Sequence, residues 1–201
     1  SSKQSDFSVK SLPAGKYIGN SRYKDVFAAS AVADLTSFRN HWGAETSLDV
    51  ELYRPVARYE LVAKDVATFL NKLSTGGLKG ESFTARVKYS DYLPTGYNLW
   101  DDVPKNSLMY MEYKVAFERP ADGTKELILG FDYVLTDAGE TVSIPVELEI
   151  LNEKNEVLAR TAFRIPCERG KNTTVRGNFL TSDANGGIGI DPDYDGDLEV
   201  D

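Results

Sequence analysis

Along most of the chain, apolar and polar residues alternate one by one. Leu48, Val50 and Leu52 alternate with Asp49 and Glu51, and Phe83, Ala85, Val87 and Tyr89 with Thr84, Arg86 and Lys88. The same period runs through Met109, Met111, Tyr113, Val115 and Phe117. It recurs in Val142, Ile144, Val146, Leu148 and Ile150, and again in Val157, Ala159, Thr161, Phe163 and Ile165. Side chains of a strand point to opposite faces in turn, so each run predicts a strand with one buried and one wet face. That is the pattern of antiparallel sheets packed on one side, not of parallel sheets buried on both. Pro145 cannot donate to a ladder, which predicts an edge position or a bulge in the 141–150 strand.

Turn formers punctuate these runs. Ala121-Asp122-Gly123, Asp137-Ala138-Gly139 and Asn152-Glu153-Lys154-Asn155 carry residues that reach positive φ cheaply or bond their own backbone. Strand, short turn and strand over 108–165 therefore predict an antiparallel meander or Greek key. Two stretches have helical character. Residues 23–30 form a short candidate, with Asn20 or Ser21 available as a cap. In the 64–73 stretch, Val66, Phe69, Leu70 and Leu73 share one helical face, with Asp65 as a candidate cap and Gly76-Gly77 as a stop. Residues 94–107 hold turn formers and little alternation, which predicts a domain boundary or a long sandwich loop there.

Composition narrows the function classes. Of 201 residues, 23 are Lys or Arg and 31 are Asp or Glu, for a net charge of −8. Nucleic-acid binding rests on clustered cations, and so does docking on anionic lipid, so the sign argues against both. With one Cys and one His, counting excludes a disulfide framework, a His-plus-Cys zinc cluster and a multi-histidine metal centre. At 41% hydrophobic and 11% aromatic, the chain is too rich in core formers for disorder. The sequence contains no apolar run of about 18 residues that would predict a spanning helix. Cys167, in Ile165-Pro166-Cys167, reads as a small core or edge residue.

Candidate chemistry is sparse. Asp191, Asp193 and Asp195 with Gly196, followed by Asp197, copy the first half of a calcium loop. Pro192 sits inside it, the flanks lack helical pattern, and the chain stops at the eleventh position, so an acidic solvated turn is the favoured reading. No metal is therefore assigned. His41 beside Trp42 has no partner cysteine and reads as a surface residue. No nucleophile elbow, zinc-protease helix, P-loop or dinucleotide glycine motif occurs, so no catalytic residue and no cofactor are assigned. Tyr92, Tyr97 and Trp100 lie in the turn-rich region and form the alternative site, a loop-aromatic surface that could stack on glycan or peptide.

From residue 127 onward, a succession of short motifs carries a resemblance. Leu129-Gly130-Phe131-Asp132-Tyr133-Val134-Leu135 opens it. Asn155-Glu156-Val157-Leu158, Ile165-Pro166 and Arg169 follow. Then come Thr173-Thr174-Val175-Arg176-Gly177-Asn178-Phe179-Leu180-Thr181 and Gly186-Gly187-Ile188-Gly189-Ile190-Asp191-Pro192. Upstream, Arg54-Pro55-Val56-Ala57-Arg58-Tyr59-Glu60-Leu61-Val62, Tyr17-Ile18-Gly19-Asn20 and Lys24-Asp25-Val26-Phe27 complete the order. The whole resembles fimbrillin-like surface lipoproteins of Bacteroidales type. The resemblance implies an all-β fold with one or two short helices, built as two tandem transthyretin-like antiparallel β-sandwich domains. The expected division is 1–103, lacking its leading strands, and 104–201. It further implies a non-enzymatic fimbrial or adhesin-type subunit, exported to the cell surface or outer membrane through a lipid-anchored precursor. Its partners would be other fimbrial subunits or itself by strand exchange, with a host or glycan ligand as a further partner, and the fit is edge physics: unpaired edge groups template another strand.

Overall fold

The computed structural model describes residues 17–182 in full, and residues 6–8 and 195–199 as strand backbone. In chain order the strands are β1 (Asp6–Ser8), β2 (Val56–Ala63), β3 (Ser82–Tyr89), β4 (Leu93–Asn98), β5 (Val103–Leu108) and β6 (Glu112–Glu118). After them come β7 (Leu127–Leu135), β8 (Thr141–Asn152), β9 (Val157–Glu168), β10 (Asn172–Gly177) and β11 (Asp195–Glu199). One α-helix, α1 (Val66–Ser74), joins β2 to β3. Two four-stranded sheets, ordered β11-β10-β2-β7 and β6-β3-β8-β9, make the body, and β1-β4-β5 form a small third sheet. This is the all-β sandwich that the alternation predicts. Tyr59, Leu61, Leu129 and Val175 of one large sheet share a single buried cluster with Phe83, Val87, Leu148, Ile150 and Ile165 of the other.

The topology departs from a simple meander. The β6–β7 and β7–β8 connections each change sheet, and the consecutive strands that pair within one large sheet are β8–β9 and β10–β11. β10 lies beside β2 in parallel, against the expectation of antiparallel pairing throughout. Both large sheets draw strands from segment 1–103 and from segment 104–201. β2 sits between β10 and β7, and β3 between β6 and β8, so each large sheet takes an interior strand from the first segment and its other strands from the second. The turn-rich 94–107 stretch forms the β4–β5 hairpin.

Local expectations meet tertiary constraints in several places. α1 buries Val66, Phe69 and Leu70, with Phe69 edge-on to Phe83 at 5.1 Å. Asp65 occupies the cap position, but its carboxylate leaves the helix end. It accepts from the Leu180 N–H at 3.0 Å and the Thr181 hydroxyl at 2.8 Å, tying the turn after β10 to the helix start. The predicted 23–30 helix shrinks to a 3-10 turn at Arg22–Lys24, capped by Ser21. Residues 48–52 alternate but form no strand, because no neighbouring strand offers a ladder; the nearest pairing is an isolated bridge between Ala28 and Tyr53. Pro145 lies on an interior strand, not an edge, and the bulge falls at Ile150/Leu151. It is tolerated because β3 pairing ends one residue earlier, at Tyr89 opposite Val146.

The outer face of β6-β3-β8-β9 carries a charge ladder. Glu149 on β8 is 0% exposed, although its position belongs to the polar phase. Arg86 from β3 and Arg160 from β9 close over it, at 2.6 Å for Arg86 Nε and 2.6 Å for Arg160 Nη2, and Lys88 adds a third cation at 2.9 Å. Burial alone would raise this carboxyl, but hydrogen bonds from Lys88, Arg86 and Arg160 outweigh it and hold the pKa at about 2. A folded pKa below the unfolded one adds stability above the unfolded value, and that stability is lost as pH falls through the folded pKa. Urea unfolding at stepped pH is therefore expected to show a loss on the order of 3 kcal/mol between about pH 5 and pH 2. Glu149→Gln should flatten most of that slope; an unchanged slope would show that Glu149 is not its source.

Candidate functional site

The sandwich has an open seam where edge strands β6 and β7 approach each other, and a strap of residues 17–25 runs along it. Gly130 on β7 has φ +150, and a Cβ there would lie 3.0 Å from Val115 of β6, so only glycine lets the two edges come this close. Gly19 of the strap lies against the Tyr113 ring, where a Cβ would come within 2.2 Å of ring carbon. Asn20 binds the β7 edge twice: its N–H donates to the Phe131 carbonyl at 2.9 Å, and its side-chain oxygen accepts from the Phe131 N–H at 3.2 Å.

A buried polar network locks this strap to the core. Asp132, fully buried on the inward face of β7, accepts from Lys24 Nζ at 2.7 Å and from the hydroxyls of Tyr17 and Tyr89, each at 2.6 Å. The Tyr133 N–H completes the shell at 2.8 Å. The Tyr59 hydroxyl lies 2.6 Å from that of Tyr89 and 3.2 Å from that of Tyr113. Lys24 Nζ also sits 3.6 Å above the Tyr17 ring. Burial pushes the four tyrosine hydroxyls up, and the nearby Asp132 charge adds to it, so they act as neutral hydrogen-bonding groups at any physiological pH. Burial lowers Lys24, and the Asp132 carboxylate opposes that. Asp132 anchors the strap, and sequence reading passes over it. The available signal was its phase: it falls two residues before Val134, on the buried face of an apolar strand.

Outside the strap, a groove of about 520 Å³ opens on the outer face of β2 and β7. Its walls include Asn20, Arg22 and Asp25 of the strap, Arg58 and Glu60 of β2, and Phe131 and Tyr133 of β7. Arg58 pairs with Glu60 at 2.7 Å and lies over the Phe131 ring at 4.9 Å. Phe131 meets Tyr133 edge-on at 6.1 Å.

The loop-aromatic trio does not assemble. Tyr92 and Trp100 are 62% and 72% exposed, but Tyr97 is 0% exposed, and its hydroxyl donates to Asp102 at 2.7 Å. Asp102 takes a bidentate pair from Arg169, at 2.8 Å for both bonds, and Arg169 stacks on Tyr53 at 4.2 Å. Hydrogen bonds from Arg169 hold the Asp102 carboxyl at about 2. Asp102 thus joins Tyr97 and the β4–β5 hairpin to the β9–β10 turn. Of the candidate calcium ligands, Asp191 and Asp193 lie outside the described residues, while Asp195 and Asp197 fall on β11. Among the described residues no cluster of three or more His, Cys, Asp or Glu side chains could hold a metal. His41 and Trp42 are exposed, and Cys167 is buried in the core, where desolvation raises its thiol to about 12.

Residues 31–52 present a different surface. All are exposed except the half-buried Phe38, and among them stand Val32, Leu35, Trp42, Leu48, Val50 and Leu52.

The network makes a quantitative prediction. Asp132→Ala strips the carboxylate from a buried ammonium and two buried hydroxyls, so urea unfolding should lose about 3–5 kcal/mol. Lys24→Met should cost less, since the carboxylate keeps three hydrogen bonds. A cost below 1 kcal/mol for Asp132→Ala would mean that the strap is not held by this contact.

Among solved structures, the chain is similar to a Bacteroides ovatus ATCC 8483 protein assigned provisionally to cell adhesion, with 12% identity and a TM-score of 0.36. The alignment covers 75% of this chain and 45% of that one, so this chain spans less than half of that neighbour's length. A likeness at that score is too slight to carry a structural or functional argument. No curated protein matches the chain. A protein-family model does match, over residues 3–201, and on that match the chain belongs to the family of unknown function DUF6562.

Proposed function

We propose that this protein is a non-enzymatic cell-surface subunit of the fimbrial or adhesin type, which associates with other subunits or its own copies by adding a strand at a sheet edge. The observation that carries the reading is the 48–52 segment. Leu48, Val50 and Leu52 alternate with Asp49 and Glu51 as a strand would, yet the whole segment is exposed and in no sheet. Exposed apolar area of this kind marks interaction surfaces. An extended chain with apolar side chains on alternate positions supplies what an edge accepts: backbone donors and acceptors, and side chains for alternate pockets. The sandwich has edges to receive one. β6 and β9 border one large sheet, and each pairs with a single neighbour among the described residues.

The resemblance to fimbrillin-like lipoproteins supports the same reading and adds export and a lipid-anchored precursor. No helix among the described residues is long and apolar enough to cross a membrane, and a lipid anchor would make none necessary. The ionisable clusters read as structural. Asp65, Asp102, Asp132 and Glu149 each have acceptors filled by protein donors, which leaves none of them poised as a general base.

Multi-angle light scattering over rising protein concentration tests the association. Mass should grow with concentration for the native chain and stay monomeric for Leu48→Lys/Val50→Lys. Both positions are exposed, so the double substitution should shift unfolding by no more than about 0.5 kcal/mol per site. A native chain that remains monomeric at millimolar concentration would end the strand-addition reading.

A further inference from the structure

We propose that the groove on the outer face of β2 and β7 is a binding site for a neutral saccharide. This reading is independent of strand addition. Its volume, about 520 Å³, lies within the ~300–1,000 Å³ typical of small-ligand sites. The charged groups on its walls cancel: Arg22 and Arg58 against Asp25 and Glu60. A phosphate or other polyanion would find no net positive field here, on a protein that already carries −8. Guanidinium groups only donate and carboxylates only accept, so the groove offers both kinds of partner side by side. A ligand hydroxyl is at once donor and acceptor and can answer either without importing charge.

The apolar part of the wall fits the same ligand. Phe131 and Tyr133, both half-buried, line the groove edge-on to each other, with Arg58 over one face of Phe131, so aromatic surface and hydrogen-bonding groups stand side by side. A pyranose ring has the complementary pair, C–H faces and hydroxyl edges. A peptide strand fits less well at this point. Strand addition needs free edge groups on β7, and the N–H and C=O of Phe131 are already bound by Asn20. The site is also held ready before any ligand arrives. The strap is fixed by the Asp132 network, and Arg58 is oriented by Glu60 and by the Phe131 ring, which reduces the ordering cost of binding. The Arg22 guanidinium is exposed and makes no hydrogen bond or ion pair among the described residues, so its donors are available.

Isothermal titration calorimetry with glucose-, mannose-, galactose- and xylose-based hexasaccharides tests the site. At least one should bind one-to-one with a submillimolar Kd. Arg58→Ala should weaken that binding at least tenfold. Arg22→Ala removes an exposed side chain without core contacts, so it should weaken binding severalfold at an unchanged melting temperature and keeps the test valid if Arg58→Ala misfolds. Amide chemical-shift changes on titration should centre on residues 20–25, 58–60 and 131–133. The proposal is overturned if none of the four sugars binds, if binding survives both substitutions in folded protein, or if inorganic phosphate or an unstructured decapeptide perturbs these amides instead.

Discussion

A carboxylate with no exposure to water must be completely paired or it destabilises the fold by several kcal/mol. Asp132 meets that demand with four donors, and they come from three places in the chain. Tyr89 arrives from β3 of the opposite sheet and Tyr133 is its own neighbour, while Tyr17 and Lys24 come from the strap before β2. The last two have consequences beyond the pair itself. Lys24 cannot reach the core unless residues 17–25 cross the β6–β7 seam, so a buried ion pair dictates the path of a segment with little regular structure. That path then sets one wall of the groove and occupies the β7 edge at Phe131.

The same logic recurs at smaller cost elsewhere. Glu149 bridges β8 to both neighbouring strands through Arg86, Lys88 and Arg160. Asp102 fastens the β4–β5 hairpin to the β9–β10 turn through Arg169. Asp65 links the start of α1 to the turn after β10. Each acid joins segments far apart in sequence, and each has donors enough to satisfy it. Apolar burial drives the collapse of the two sheets, but many apolar arrangements would satisfy it about equally. These polar contacts distinguish one register and one loop path from the rest, because an alternative packing would leave a buried charge unpaired.

Two surfaces then stand out against this well-satisfied interior. One is the 31–52 excursion, rich in exposed apolar side chains and patterned in part like a strand. The other is the groove over β2 and β7, charge-balanced and lined in part by Phe131 and Tyr133. They differ in chemistry: the first matches the strand partner proposed above, and the second the saccharide proposed above.

Period-two alternation by itself determined the all-β character and the positions of β3, β6, β8 and β9, and the helical stripe of Val66, Phe69, Leu70 and Leu73 marked α1, because burial of one strand face or one helix stripe is a local property of side-chain order. It could not say which strands pair. β2 and β3 are interior strands of sheets built mainly from residues beyond 112, and no local pattern marks a long-range partner. It also misled where alternation met no neighbour: 48–52 has the order of residues in a strand but nothing to pair with. Site chemistry was still less legible. Tyr97 read as a loop aromatic, but the fold packs it with Val56 and Leu135 and ties its hydroxyl to Asp102, and Asp132 looked like one acid among 31. Whether a charged or aromatic side chain is solvated, buried or part of a groove depends on what the rest of the chain folds over it, and only the tertiary structure supplies that.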